Sequence, residues 1–217
     1  WFSEKLSMIK KRFDTIYVID LNEIFYQQGS NEIFSDRNWY FAHCRLSIQG
    51  LKVLTDALLV VTNRLFSAPS KVLVLDCDNT LWGGVVGEDG VEGIVLGQDG
   101  IGTAYVDFQK EIVRLTNNGA IVVLASKNND KDVWDVFDQH SEMKLKRDHI
   151  VTSKINWNEK AFNVQEIAKE LDLGLDSFVF WDDNPLERDK MKTLLPQVQT
   201  IDVPKEVIKW PRLLRTL

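Results

Sequence analysis

The sequence predicts an α/β fold built on a Rossmann-like parallel sheet, and three observations support it. Short runs that are apolar at nearly every position, "VLVL" (72–75), "AIVVLAS" (120–126) and "SFVFW" (177–181), suit strands covered on both faces. Segments with apolar residues at helical spacing lie between them. Each run also ends on a polar group, with Asp76, Ser126 and Asp182 at the three ends. A parallel sheet brings such ends together at its carboxyl edge, where α/β proteins place their sites.

In chain order, "TIYVID" (15–20) reads as a strand and "NEIFYQQG" as a turn or short helix ending at Gly29. Residues 30–38 are polar and read as a loop. Residues 50–66 carry Leu51, Leu54, Leu58, Val61 and Leu65 on one helical face. "SAPS" (67–70) reads as a linker, so residues 1–68 are taken as an N-terminal segment and 69–217 as the main domain. After the first buried strand, Gly83, Gly84, Gly87 and Gly90 suggest a hairpin flap. A helix then carries Tyr105, Phe108, Ile112 and Leu115 towards a stop at Gly119. Beyond the second strand, "DKDVWDVFDQH" reads as a short helix, and only loops are expected from there to Glu159. "NEKAFNVQEIAKELDLG" reads as a longer helix, the third buried strand precedes a helix over 186–194, and "QVQTIDV" reads as a last strand.

Composition narrows the function classes. The 217 residues are 44% hydrophobic with a net charge of −6, which speaks against nucleic acid or an anionic membrane as partner. No apolar run approaches the roughly 18 residues of a membrane span. Two cysteines, Cys44 and Cys77, make no disulfide framework, so a reducing cytoplasm is expected. The chain opens on Trp1 inside an amphipathic stretch, and is expected to be part of a larger multidomain protein.

The chemistry concentrates in "LDCDNTLWGG". Asp76 and Asp78 would repel each other at a buried strand end, and desolvation would penalise both, so a cation, a phosphate or a proton must compensate them. "DCDNT" resembles the first motif of the haloacid dehalogenase superfamily of phosphoryl-transfer enzymes. "LASKN" resembles its second motif, "NEKA" its third and "FWDDNP" its fourth. "LDCDNTLWGGVVGEDGVEGI", "SKNN", "INWNEKA" and "DDNPLERD" together look like the FkbH-like branch, over about residues 70–204. The resemblance implies a haloacid dehalogenase-type fold. It also implies an enzyme that draws a glyceryl unit from 1,3-bisphosphoglycerate, loads it onto the phosphopantetheine arm of an acyl carrier protein and removes its phosphate, for polyketide-type products.

On this resemblance Asp76 is the nucleophile and Asp78 the general acid and base. Mg²⁺ is the implied cofactor, with Asp76 and Asp182 as ligands, Asp78 through its backbone carbonyl and Asp183 assisting. Ser126 and Lys160 serve the phosphoryl oxygens, with Asn79, Thr80 and Lys127 as further phosphate-binding candidates. Lys154 and Lys127 compete with Lys160 for the third-motif role; Lys160 is preferred because it starts a helix. Cys77 is a candidate thioester acceptor, although strand alternation would turn it away from the face of Asp76 and Asp78. Seven tryptophans are many for this length; Trp82 and Trp157 are candidates to wall the site, and Trp181 to pack in the core.

The intervals between motifs leave no room for a large cap, so the site is expected to be open to a bulky partner. The N-terminal segment faintly resembles the tail of an SGNH-type esterase. Its Asp36 and His43 are spaced more widely than that family's Asp-x-x-His, and no nucleophilic Ser motif accompanies them. It is read as a remnant, with His43 structural.

Overall fold

The structure is a computed structural model that describes residues 5, 6, 8, 19–66 and 71–215. The chain divides into two compact units, Trp1–Ser67 and Ala68–Leu217. Most of the expected strand at 15–20 and the whole linker at 67–70 lie outside the described residues.

The first unit is helical among those residues: α1 (Leu21–Gln28), α2 (Ser30–Ile33), α3 (Asp36–Ala42) and α4 (Ile48–Phe66). The loop expected over 30–38 is thus two short helices. Ser35 explains the second, because its hydroxyl accepts from the Asn38 N–H and caps α3. His43 ends the same helix in the left-handed conformation (φ 52°), its N–H donating to the Trp39 carbonyl. Gly50 of α4 lies so close to α2 that a Cβ would come within 2.4 Å of the Ile33 carbonyl oxygen. Only glycine allows that approach.

In the second unit, five strands form one parallel sheet: β1 (Val72–Leu75), β2 (Ile121–Ser126), β3 (Ile150–Ile155), β4 (Phe178–Trp181) and β5 (Gln199–Thr200), in the order β3-β2-β1-β4-β5. The connections carry α5 (Val86–Gly93), α6 (Gly100–Asn117), α7 (Asp130–Gln139), α8 (Lys160–Leu171) and α9 (Pro185–Leu194), and α10 (Trp210–Leu214) follows the sheet. β3 falls where only loops were expected. As an edge strand it is half exposed, so "IVTSKI" lacks the continuous apolar run of the central strands. The last strand is shorter than "QVQTIDV" suggested, with two residues paired.

Alternation along the strands gives two cores. Leu73, Leu75, Leu124 and Trp181 face Phe108 and Ile112 of α6, Val136 and Phe137 of α7, and Trp210. Val72, Val74, Val123, Phe178 and Phe180 face Val164 and Ile167 of α8 and Met191 of α9. Covered on both sides, the sheet is rigid, and its carboxyl edge is a firm base for polar side chains. Trp181 packs in the core, its ring 4.9 Å from that of Phe108.

The glycine-rich stretch is a helical flap rather than a hairpin. Gly83 and Val95 pair as an antiparallel bridge that closes it at its base, and α5 kinks at Gly90. Gly84 (φ +95°) permits the turn, and a Cβ there would lie 2.5 Å from Asp89 Oδ2. No cap domain interrupts the described residues of this unit: β1 and β2 are separated by α5 and α6 alone. No helix among the described residues is long and apolar enough to cross a membrane.

Candidate active site

The carboxyl edge is assembled from three central strands. β1 continues into Asp76, whose N–H donates to the Trp181 carbonyl, so the loop starts in register with β4. Asn79 then adopts a positive φ of 52°, a conformation Asn tolerates better than most residues, and its side chain accepts from the Gly84 N–H at 2.9 Å. The turn brings Thr80 back under the site. Thr80 Oγ1 donates to Asp183 Oδ1 (3.2 Å) and accepts from the Asp183 N–H (3.3 Å), tying the loop after β1 to the loop after β4.

Lys160 lies at the centre. It begins α8, only 4% of its side chain is exposed, and Nζ reaches Asp76 Oδ1 at 2.9 Å and Asp182 Oδ2 at 2.6 Å. The loop before α8 is held by a pair of amides, Asn163 Nδ2 donating to Asn156 Oδ1 at 3.0 Å. Carboxylate oxygens of Asp76, Asp182 and Asp183 lie within 4.8 Å of one another. Three carboxylates against one ammonium leave two negative charges uncompensated. Burial and the Asp76 charge therefore push Asp182 up to about 7 and Asp183 up to about 6. Burial disfavours charge on Lys160, but Asp76 and Asp182 outweigh it and hold the ammonium protonated. An all-oxygen donor set with this charge excess fits a hard divalent cation.

Asp78 is held apart from that cluster. Its Oδ1 accepts from Trp82 Nε1 and from the Val86 N–H, both at 3.0 Å, and its Oδ2 accepts from Asn128 Nδ2 at 2.7 Å. Burial raises its pKa despite these bonds. Ser126, at the end of β2, is buried. Cys77 is fully buried in the same core cluster as Leu73 and Leu75, and burial together with Asp76 holds its thiol well above the usual range.

Lys127 does not reach this centre: it binds Glu187 at 3.0 Å and Glu159 at 3.3 Å. Lys154 pairs with Glu166 and Glu170. Of the tryptophans, Trp82 is buried beneath the flap and Trp157 is 71% exposed. Sequence reasoning missed Asn128 and Arg188. Both lie inside quoted motifs, "SKNN" and "DDNPLERD", but only distances reveal what they touch. Arg188 Nη1 donates to the backbone carbonyls of Asp182 (2.8 Å) and Asp183 (2.7 Å).

No protein-family model matches the sequence, and no curated protein does. Among solved structures, this chain is similar to the N-terminal part of the protein BF1531 from Bacteroides fragilis, containing a phosphatase domain complexed with Mg, with a TM-score of 0.88 and 34% identity. The chain has a haloacid dehalogenase-type fold. The match covers 99% of this chain, which spans 57% of the length of that solved chain.

Proposed function

We propose that this chain is a Mg²⁺-dependent phosphatase of the haloacid dehalogenase type, and that its substrate is a phosphoglyceryl group on the arm of an acyl carrier protein. One observation carries the phosphatase reading: Asp76, Asp182 and Asp183 converge around a single lysine with two negative charges uncompensated. The Mg-bound phosphatase domain of similar structure supports it. The glyceryl substrate rests on the resemblance to the FkbH-like branch.

Asp76, Asp182 and Asp183 would hold Mg²⁺, which when bound neutralises charge as two anions approach. Asp76 Oδ1 faces Lys160, and Oδ2 takes no hydrogen bond from the described residues, which leaves it to attack phosphorus. The P–O bond to the glyceryl oxygen breaks and that oxygen takes a proton from Asp78, whose raised pKa favours the protonated form. Asp78 then takes a proton from the water that hydrolyses the aspartyl-phosphate. Phosphate leaves and Asp76 is regenerated. Lys160 and Ser126 steady the phosphoryl oxygens. Before this, the carrier thiol attacks the C1 carbonyl of 1,3-bisphosphoglycerate and expels the C1 phosphate. The carrier thiol suits that step better than Cys77, whose thiol is buried and held protonated.

A plain phosphatase acting on phosphoprotein or small phosphoesters is the second reading, favoured by the absence of an inserted cap domain among the described residues of the second unit. Intact-protein mass spectrometry of a holo carrier protein with this chain, Mg²⁺ and 1,3-bisphosphoglycerate separates the two. A glyceryl adduct, replaced by a phosphoglyceryl adduct with Asp76→Asn and unchanged with Cys77→Ala, is expected. Phosphate release from simple phosphoesters with no adduct on any carrier establishes the second reading instead.

A further inference from the structure

The loop from Asp182 to Asn184 turns sharply between β4 and α9, and its carbonyl oxygens need partners like any others. Asp182 Oδ1 accepts from the Asn184 N–H at 2.9 Å, while Thr80 holds one oxygen of Asp183. The carbonyls of both aspartates converge on one atom, Nη1 of Arg188. Arg188 is the fourth residue of α9, near the helix's positive end, where a cation is disfavoured by the helix dipole. The side chain nevertheless folds back over that end, half-buried, to reach the loop.

We infer that Arg188 is a positioning residue: by fixing the main chain of Asp182 and Asp183 it presets their two carboxylates for the divalent cation. With both carbonyls tied to one guanidinium nitrogen, the turn that carries the two carboxylates is fixed on both of its residues. Arg188 touches neither substrate nor the reacting atoms in this scheme, and acts through the two aspartates alone. The inference rests on the Mg²⁺ reading above.

The test is calorimetric titration of MgCl₂ into the 217-residue chain, as wild type, Arg188→Ala and Arg188→Lys, with thermal melting of each metal-free protein. Loss of such an outer partner weakens metal binding about tenfold or more, so Arg188→Ala should raise the Mg²⁺ Kd about tenfold. Its metal-free Tm should stay within about 2 °C of wild type. Arg188→Lys should recover binding to within about threefold of wild type, by the same outer-partner logic. An unchanged Kd in Arg188→Ala overturns the inference, and so does a weakening that matches a fall in metal-free Tm and is not recovered by lysine. If Arg188→Ala does not fold, Arg188→Met, which keeps the apolar stem, takes its place: about tenfold weakening with a metal-free Tm near wild type supports the inference, and a Kd equal to wild type overturns it. A wild type that takes up no Mg²⁺ removes the underlying reading and the inference with it.

Discussion

Lys160 and Lys127 both sit among carboxylates near the carboxyl edge of the sheet, yet their surroundings differ in charge balance and in burial. Lys127 shares Glu187 and Glu159 with Lys190, so two lysines face two glutamates, and the cluster is partly exposed. Lys160 is almost wholly buried and faces two carboxylates directly, with a third beside them. Titration follows this difference. Hydrogen bonds from Lys190 and Lys127 pull Glu159 down, whereas burial pushes Asp182 up to about 7 even with a lysine in contact. Two groups of the same residue types thus behave oppositely. A balanced, partly exposed cluster is complete by itself, while a buried cluster with excess charge is built to receive something.

The comparison breaks most sharply at Lys160. Lys160→Met should lower Mg²⁺-dependent hydrolysis of p-nitrophenyl phosphate by about 10²–10³-fold, the usual effect of losing one charge-stabilising donor. The metal-free fold should lose about 3–5 kcal/mol, because Asp76 and Asp182 are left buried without their cation. Activity within a few-fold of wild type would show that Lys160 merely holds the structure together.

A smaller effect follows from pH. A carboxyl whose pKa is raised in the folded state contributes stability that is full below its unfolded pKa of about 4 and is lost as pH rises through its folded pKa. For Asp182 that window runs from about 4 up to about 7. Metal-free protein should therefore melt progressively lower across it, and Asp182→Asn should flatten the decline. Glu159 has the opposite sign: its small contribution is present above the unfolded pKa and lost as pH falls through the lowered folded one. A metal-free melting temperature that rises steadily from pH 4 to 7 would contradict the assignment for Asp182.

The smallest effect is expected at Lys127. Lys127→Ala should change hydrolysis of simple phosphoesters by no more than about threefold, since its ion pairs are partly screened by solvent. A loss as large as that of Lys160→Met would place Lys127 on the phosphate and reverse the comparison.

Much of this was legible in the chain itself. Continuous apolar runs identified β1, β2 and β4, because parallel strands covered on both faces leave no polar position. The acids and the serine at their ends followed from the same runs. The edge strand β3 was not legible, because half exposure mixes polar residues into it. The helices at Ser30–Ile33 and Asp36–Ala42 were missed because short polar helices owe their existence to a cap and a neighbour rather than to periodicity.

The sequence by itself determined which residue types stand at the strand ends, and with them the excess of acid over base. It also determined that Cys77 turns into the core, since side-chain alternation along an extended chain is local geometry. Only the tertiary structure decided which lysine faces the acids: Lys160, Lys127 and Lys154 are equivalent as letters, and their partners lie 12 to 84 residues away along the chain. It alone brought Arg188 onto two carbonyls and Thr80 onto Asp183. The reason is physical: a side chain's charge is written in the chain, but its desolvation and its partners depend on which strands and helices pack beside it.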